Sequence, residues 1–264
     1  VGGYVLRGGQ EGYDRIQVLA RSRWPDTEQL LDRIDVRPGM DCVDVGCGGG
    51  AVTLALAQRV GPTGRVIGLD LDETQLRLAT AAAADAELTN VVFRAADLSA
   101  PIALDDRDLV YSRLLLQHLE DPVALLARMW AAVRRGGVLA VEDADFDGCF
   151  CDPPNDAFDF FVQAYQRVAA RRGGDSTFGR RLVTAFARAG VPRPELELRT
   201  VLYRGEGRLL PWLTVDHASE AIVAEGVASP DEIEAALTEL RRLADDDSVV
   251  MGGPRIFQAW TRRP

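Results

Sequence analysis

The stretch Asp41-Cys-Val-Asp-Val-Gly-Cys-Gly-Gly-Gly50 decides how this chain is read. Val43 and Val45 alternate with Asp44, the chain then breaks into Gly46-Cys47-Gly48-Gly49-Gly50, and Ala51-Val-Thr-Leu-Ala-Leu-Ala57 begins an apolar, helix-forming run. That is the pattern of a buried strand, a tight turn and a helix start. Glycines are needed in such a turn for backbone angles that a Cβ forbids, and for the close approach of a ligand to the backbone.

Three later segments strengthen the reading. Arg65-Val-Ile-Gly-Leu-Asp70 is a second short apolar strand, and its terminal acid lies 24 residues beyond Gly46. That is near the spacing at which a carboxylate takes ribose hydroxyls in nucleotide-binding βαβ units. Val91-Val-Phe-Arg-Ala95 runs into Ala96-Asp97-Leu98, and Leu109-Val-Tyr-Ser112 enters Arg113 and an apolar stretch ending in Gln117-His118. All four strand ends are expected along one edge of a parallel sheet, where open α/β folds bind ligands.

The ordered series Val43-Asp-Val-Gly-Cys-Gly-Gly-Gly50, Val66-Ile-Gly-Leu-Asp-Leu71, Ala96-Asp97 and Asp108-Leu-Val-Tyr-Ser112 resembles the motifs of class I S-adenosylmethionine-dependent methyltransferases of the small-molecule type, over roughly residues 37–143. The resemblance implies an α/β fold, with a doubly wound, seven-stranded, mostly parallel Rossmann-like sheet, and S-adenosyl-L-methionine as cofactor. It implies that Asp70 holds both ribose hydroxyls, that Leu71 packs on the adenine and that Asp97 holds the adenine amine. Gly46, Gly48 and Gly50 would let the aminoacyl arm pass. Asp44, Cys47, Ala96, Leu98, Ser112, Arg113 and His118 complete the expected cofactor site, with Tyr4 on an N-terminal segment that folds over it. Nicotinamide dehydrogenases are the rival. They usually carry G-x-G-x-x-G after a wholly apolar strand, whereas here an acid precedes the glycines, which suits a cationic cofactor better than a pyrophosphate.

Composition narrows the partners. The chain has 264 residues, a net charge of −10 and 47% apolar residues. An acidic chain lacks the basic footprint of a nucleic-acid or anionic-membrane binder. No lysine occurs, so Schiff-base chemistry through lysine is excluded. Cys42, Cys47, Cys149 and Cys151 do not have zinc-site spacing, only two histidines occur, and no metal is expected. Reduced thiols, no membrane-length apolar run and no signal-peptide pattern lead us to expect a cytoplasmic protein. Val1 in place of Met suggests a trimmed start.

Along the chain, we expect one domain in four parts: an N-terminal helical segment (1–36), a cofactor-binding core (37–146), a helical cap (147–190) and the C-terminal part of the core (191–264). Trp24-Pro25 is expected to stop a first helix, with Asp26 capping a second. The aromatics Phe158, Phe160, Phe161 and Tyr165 mark the cap. Ser229-Pro230-Asp-Glu232 opens a strongly signalled helix, and Arg255–Trp260 is the expected last, antiparallel strand. The reaction expected is methyl transfer to the O, N or C of a small acceptor, in secondary metabolism. His118 and Asp143 are the candidate catalytic residues, with His217 and Asp145 as further candidate bases. A scaffold or nonmethylating catalyst that binds the same cofactor is the alternative, ahead of an NAD(P)-dependent oxidoreductase, and a homodimer is left open.

Overall fold

The first apolar run pairs on both sides, as a strand buried on both faces must. In the computed structural model, which describes residues 6–7, 9–98, 100 and 106–264, β1 (Asp41–Val45) lies between β2 (Arg65–Asp70) and β4 (Arg107–Arg113), parallel to both. β3 (Val91–Ala95) extends the sheet beyond β2, and β5 (Val133–Asp145) extends it beyond β4. Numbering the short strands β6 (Phe150–Asp152), β7 (Glu195–Arg199) and β8 (Val250–Gly252) in chain order, the last strand is β9 (Arg255–Arg262). The sheet runs β3-β2-β1-β4-β5-β9-β7, with β9 antiparallel to both neighbours. The expected seven-stranded, mostly parallel sheet is therefore present. β6 and β8 form a small antiparallel pair outside it, which the sequence reading did not anticipate.

Helices cover both faces. On one side, α4 (Pro122–Ala132) and α6 (Leu182–Arg188) bury Leu126, Met129, Leu182 and Phe186 against Val43, Val110, Leu139 and Val141. On the other, α2 (Ala51–Val60) and the end of α1 (Gly9–Arg33) bury Leu56, Val60, Leu30 and Leu31 against Cys42, Val66, Leu109 and Tyr111. α3 (Glu73–Asp85) is capped by Asp72, whose carboxylate accepts from Thr74 and Gln75 amides. Fully burying each large apolar side chain contributes about 1.5–3 kcal/mol.

A third apolar cluster forms the cap. α5 (Asp156–Arg171), α7 (Leu210–Ala224) and α8 (Pro230–Asp245) pack Phe158, Phe161 and Val168 against Val215, Ile222 and Leu240. The cap thus draws on α7 and α8 well beyond residue 190, while α6, expected within it, belongs to the sheet layer. Half the aromatic run serves packing, as Phe158 meets Phe161 edge-on at 5.5 Å. At the helix start signalled by Ser229 a capping box is formed, with the Ser229 hydroxyl and the Glu232 carboxylate each accepting from the other's backbone amide. That cap contributes about 1 kcal/mol.

The expected pair of N-terminal helices is one continuous helix, α1, with Pro25 inside it. Local sequence favours a break, because proline removes a helical hydrogen bond and crowds the preceding turn. Tertiary packing overrides it: Ala20, Arg23, Thr27, Leu30 and Leu31, on both sides of Pro25, are all buried. Among the described residues no helix is long and apolar enough to cross a membrane.

Pro25 is exposed, so Pro25→Ala should restore a backbone donor without a steric penalty. Thermal denaturation should show a more stable protein, with about 3 kcal/mol as the upper bound. A lower melting temperature would mean that the ring itself is required.

Candidate active site

The glycine turn sits where β1 meets the topological switch of the sheet. The Gly46 and Cys47 amides donate to the Leu69 carbonyl at 2.8 and 2.9 Å, fixing the turn to β2. Gly46 and Gly50 have φ of 75° and 76°. A Cβ on Gly46 would stand 2.8 Å from the Leu115 side chain, and one on Gly50 would stand 2.8 Å from Ala79 and 2.9 Å from Phe93. Side chains are excluded at both positions by backbone angle and by space.

The Asp70 carboxylate, at the end of β2, reaches back over this turn. It accepts from the Gly48 amide at 2.7 Å and from the Asp72 amide at 3.0 Å. Leu71 beside it is 63% exposed, a large apolar side chain left on the sheet's carboxyl edge. Ala96 donates its amide to the Asp70 carbonyl, Asp97 follows at the surface, and Leu98 turns into the core. Asp44 is buried and accepts from the Thr53 hydroxyl at 2.7 Å, and burial pushes its carboxyl up to about 6. Burial likewise raises the Cys47 thiol, so this thiol is not a nucleophile.

Next to the turn lies a narrow cavity of ≈ 70 Å³ between α1, the segment after β4 and the cap. α1 serves both compartments. Tyr13 and Gln17 press on Gly49, while Arg15, Leu19 and Arg23, spaced one turn apart, line the cavity. The segment after β4 does the same, with Leu115 on Gly46 and Leu114 on the cavity. Leu114 has φ of 55°, a conformation rare for a bulky residue. Its amide donates to the Glu142 carbonyl at 2.7 Å.

The predicted site residues divide accordingly. Asp44, Gly46, Cys47, Gly48, Asp70, Leu71, Ala96, Asp97 and Leu98 gather along the ends of the first three strands, and His118 lines the cavity. Ser112 is fully buried with its hydroxyl lacking a hydrogen-bond partner, and Arg113 donates to the Thr27 hydroxyl of α1 at 3.1 Å. Tyr4 lies outside the described residues. Asp143, the other candidate catalytic residue, is fully buried, behind the residues that line the cavity. Its two oxygens accept from the Gln117 and Ala144 amides, which ties the 116–118 turn to β5. Asp145 is taken up by Arg180 and Arg255, and the basic pairs around Arg172, Arg180 and Arg181 are engaged with acids. Sequence reasoning missed Arg15 and Arg23, while Gln117, read with His118 as near the reacting centre, lines the cavity. The i, i+4, i+8 spacing of Arg15, Leu19 and Arg23 carried the signal, but arginine on a helix reads first as a solvated face.

Proton chemistry at the cavity is limited. Burial, and secondarily the charge of Arg15, push His118 down to about 4, so the imidazole is neutral at pH 7 and a weak base. Burial raises the Tyr203 phenol well above its ordinary range.

Known proteins match this arrangement. A methyltransferase-domain family model covers residues 37–166, from the loop before β1 into α5. Residues 37–166 belong to that methyltransferase-domain family, and the chain is similar to class I S-adenosylmethionine-dependent methyltransferases. It is 39% identical over 114 residues to the nocamycin O-methyltransferase of Saccharothrix syringae, covering 43% of this chain and 41% of that protein. It is 29% identical over 248 residues to the trans-aconitate 2-methyltransferase of Rhizobium leguminosarum, covering 86% and 90%. The chain spans about half the length of most of the curated relatives it matches. Among solved structures, the cyclase SpnF superposes with a TM-score of 0.56 at 19% identity, over 93% of this chain and 82% of that one. That likeness concerns the fold alone, and a cyclase on it shows that fold does not fix chemistry.

Burial pushes Asp143 up from 3.8 to about 7. A carboxyl with a raised folded pKa binds its proton more tightly in the folded state. Its contribution to stability is therefore present below about pH 4 and lost as the pH rises towards 7. Asp143→Asn stays neutral throughout, so chemical denaturation should show the stability difference moving in the variant's favour from pH 4 to pH 7. A pH-independent difference would rule out titration of Asp143 in this range.

Proposed function

We propose that this chain transfers the methyl group of S-adenosyl-L-methionine to a small organic acceptor held in the cavity between α1 and the cap. When bound, that cofactor supplies a methyl group already activated on a positively charged sulfur. The chain's own task is then to bind, align and exclude water. The single observation that carries the reading is that the glycine turn and the cavity share their walls. Leu114 and Leu115, adjacent in sequence, face one each, and so do two stripes of α1.

The residues on the sheet edge fit the cofactor's parts. Asp70 carries a carboxylate oriented by two amides, suited to accept from a vicinal diol. The exposed Leu71 offers an apolar surface for a purine, and the acidic Asp97 an acceptor for its amine. Asp44 and the Cβ-free turn leave room and negative potential for a cationic amino-acid arm. Net charge of −10 supports a small molecule over a nucleic acid. A soluble, cytoplasmic role in secondary metabolism is consistent with the nocamycin relative and with the lack of membrane-length helices among the described residues.

Calorimetric titration should give micromolar binding of both S-adenosylmethionine and S-adenosylhomocysteine, and the absence of both in folded protein would overturn the reading. Asp70→Ala should weaken that binding by about 1–3 kcal/mol, the magnitude of a hydrogen bond to a charged group. An unchanged dissociation constant would remove Asp70 from the site. Tritium transfer from the labelled methyl group to small molecules in extract would separate methyl transfer from cofactor binding without turnover.

A further inference from the structure

In a chain with ten more negative than positive charges, the cavity has the opposite character. Two arginines line it, and among the described residues no aspartate or glutamate does. Arg23 is 3% exposed, and both its Nε and one terminal nitrogen lack a hydrogen-bond partner. It makes no ion pair among the described residues; burial holds its pKa below the usual arginine range, and the weaker influences favouring its charge, from Tyr203, Cys149 and Asp26, come from groups not hydrogen-bonded to it. Arg15, 5% exposed, lies two turns earlier on the same stripe. Gln117 adds a buried amide whose oxygen has no partner, and either end of that amide can be presented to a ligand. An uncompensated buried guanidinium is costly. A planar fork of donors aimed into a cavity is matched by a carboxylate, which it can grip with two hydrogen bonds.

We infer that the cavity binds its methyl acceptor as a carboxylate anion, with Arg23 as the principal counter-ion, and that a carboxylate oxygen is the atom methylated. This rests on the methyl-transfer reading and goes further by naming the substrate class. The lining residues support the oxygen assignment. His118 is neutral and weakly basic, Tyr203 keeps its proton, and Asp143 is turned into the protein. A phenol or carbon acid would need a base that the cavity lacks, and an ammonium would meet two buried cations. A carboxylate oxygen already holds its electron pair. The O–CH3 bond forms with that pair, the C–S bond breaks with its pair going to sulfur, the sulfonium and carboxylate charges cancel, and no proton moves. The product, a neutral ester, loses its attraction to Arg23, which favours release.

The test titrates benzoate, hexanoate, succinate and fumarate, each against its primary amide, into protein saturated with S-adenosylhomocysteine and into free protein. At least one acid should bind tenfold or more tighter than its amide. Arg23→Met should abolish that preference, Arg23→Lys should retain part of it, and affinity for S-adenosylhomocysteine should be equal in all three. Arg23→Met should also melt at or above the wild-type temperature, since it removes an uncompensated buried charge. No acid preference in the wild type, a preference that survives Arg23→Met, or a lowered melting temperature for that variant would each overturn the proposal. If S-adenosylhomocysteine does not bind, the methyl-transfer reading fails, and the acid-against-amide comparison on free protein still decides the cavity's charge selectivity. Tritiated methyl product should be released as volatile label by mild alkali, as an ester is. Alkali-stable label would overturn the oxygen assignment.

Discussion

Glu142, on β5 between β4 and β9, is a buried carboxylate that accepts from three directions. The Thr27 hydroxyl of α1 donates at 2.9 Å, the Gln258 amide of β9 at 2.8 Å, and the Tyr111 hydroxyl of β4 closes the set. Gln258 also donates to the Asp26 carbonyl of α1, and Arg113 to Thr27. One side chain therefore ties the N-terminal helix to three strands of the sheet. A buried carboxylate is tolerable only when its lone pairs are met, which fixes α1 in angle and register. The glycine turn and the cavity take their shapes from that placement, because α1 walls both.

The parts legible in the sequence were those governed by local rules. Glycines at positive φ, an acid at the end of β2 and the serine cap of α8 each state a backbone requirement in one or two residues. What was not legible depended on contacts distant in the chain. Pro25 reads as a stop, and only the burial of Thr27, Leu30 and Leu31 against the sheet shows why the helix continues. Asp143 sits in a motif position, and only the fold shows its oxygens occupied by amides of the 116–118 turn. β6 and β8, nearly a hundred residues apart, pair through three residues each and carry no strand pattern of their own.

The charge distribution separates surface from interior. Surface arginines are largely engaged with acids, as Arg7 with Glu11 and Arg242 with Glu239 and Asp246, and such exposed pairs add little to stability. Arg23 is different in kind, held without an ion pair among the described residues in low dielectric, where a charge acts strongly and is screened little. An acidic exterior around a cationic cavity slows the approach of an anion by long-range repulsion, yet holds it firmly once it is inside.

α1 has a mechanical consequence. It is 25 residues long, about 37 Å at helical rise; its last turns pack on the sheet through Thr27, Leu30 and Leu31, and its first half is held by polar contacts of Gln17 with the Gly49 carbonyl, Gln75 with the Gly9 carbonyl and Arg21 with Glu206. Its other half lies over the glycine turn and the cavity together. Pro25, where the ladder of backbone hydrogen bonds is interrupted, separates the sheet-packed turns from the covering half. Because one helix walls both compartments, a substitution that shifts its first half alters the shape of the glycine turn and of the cavity together.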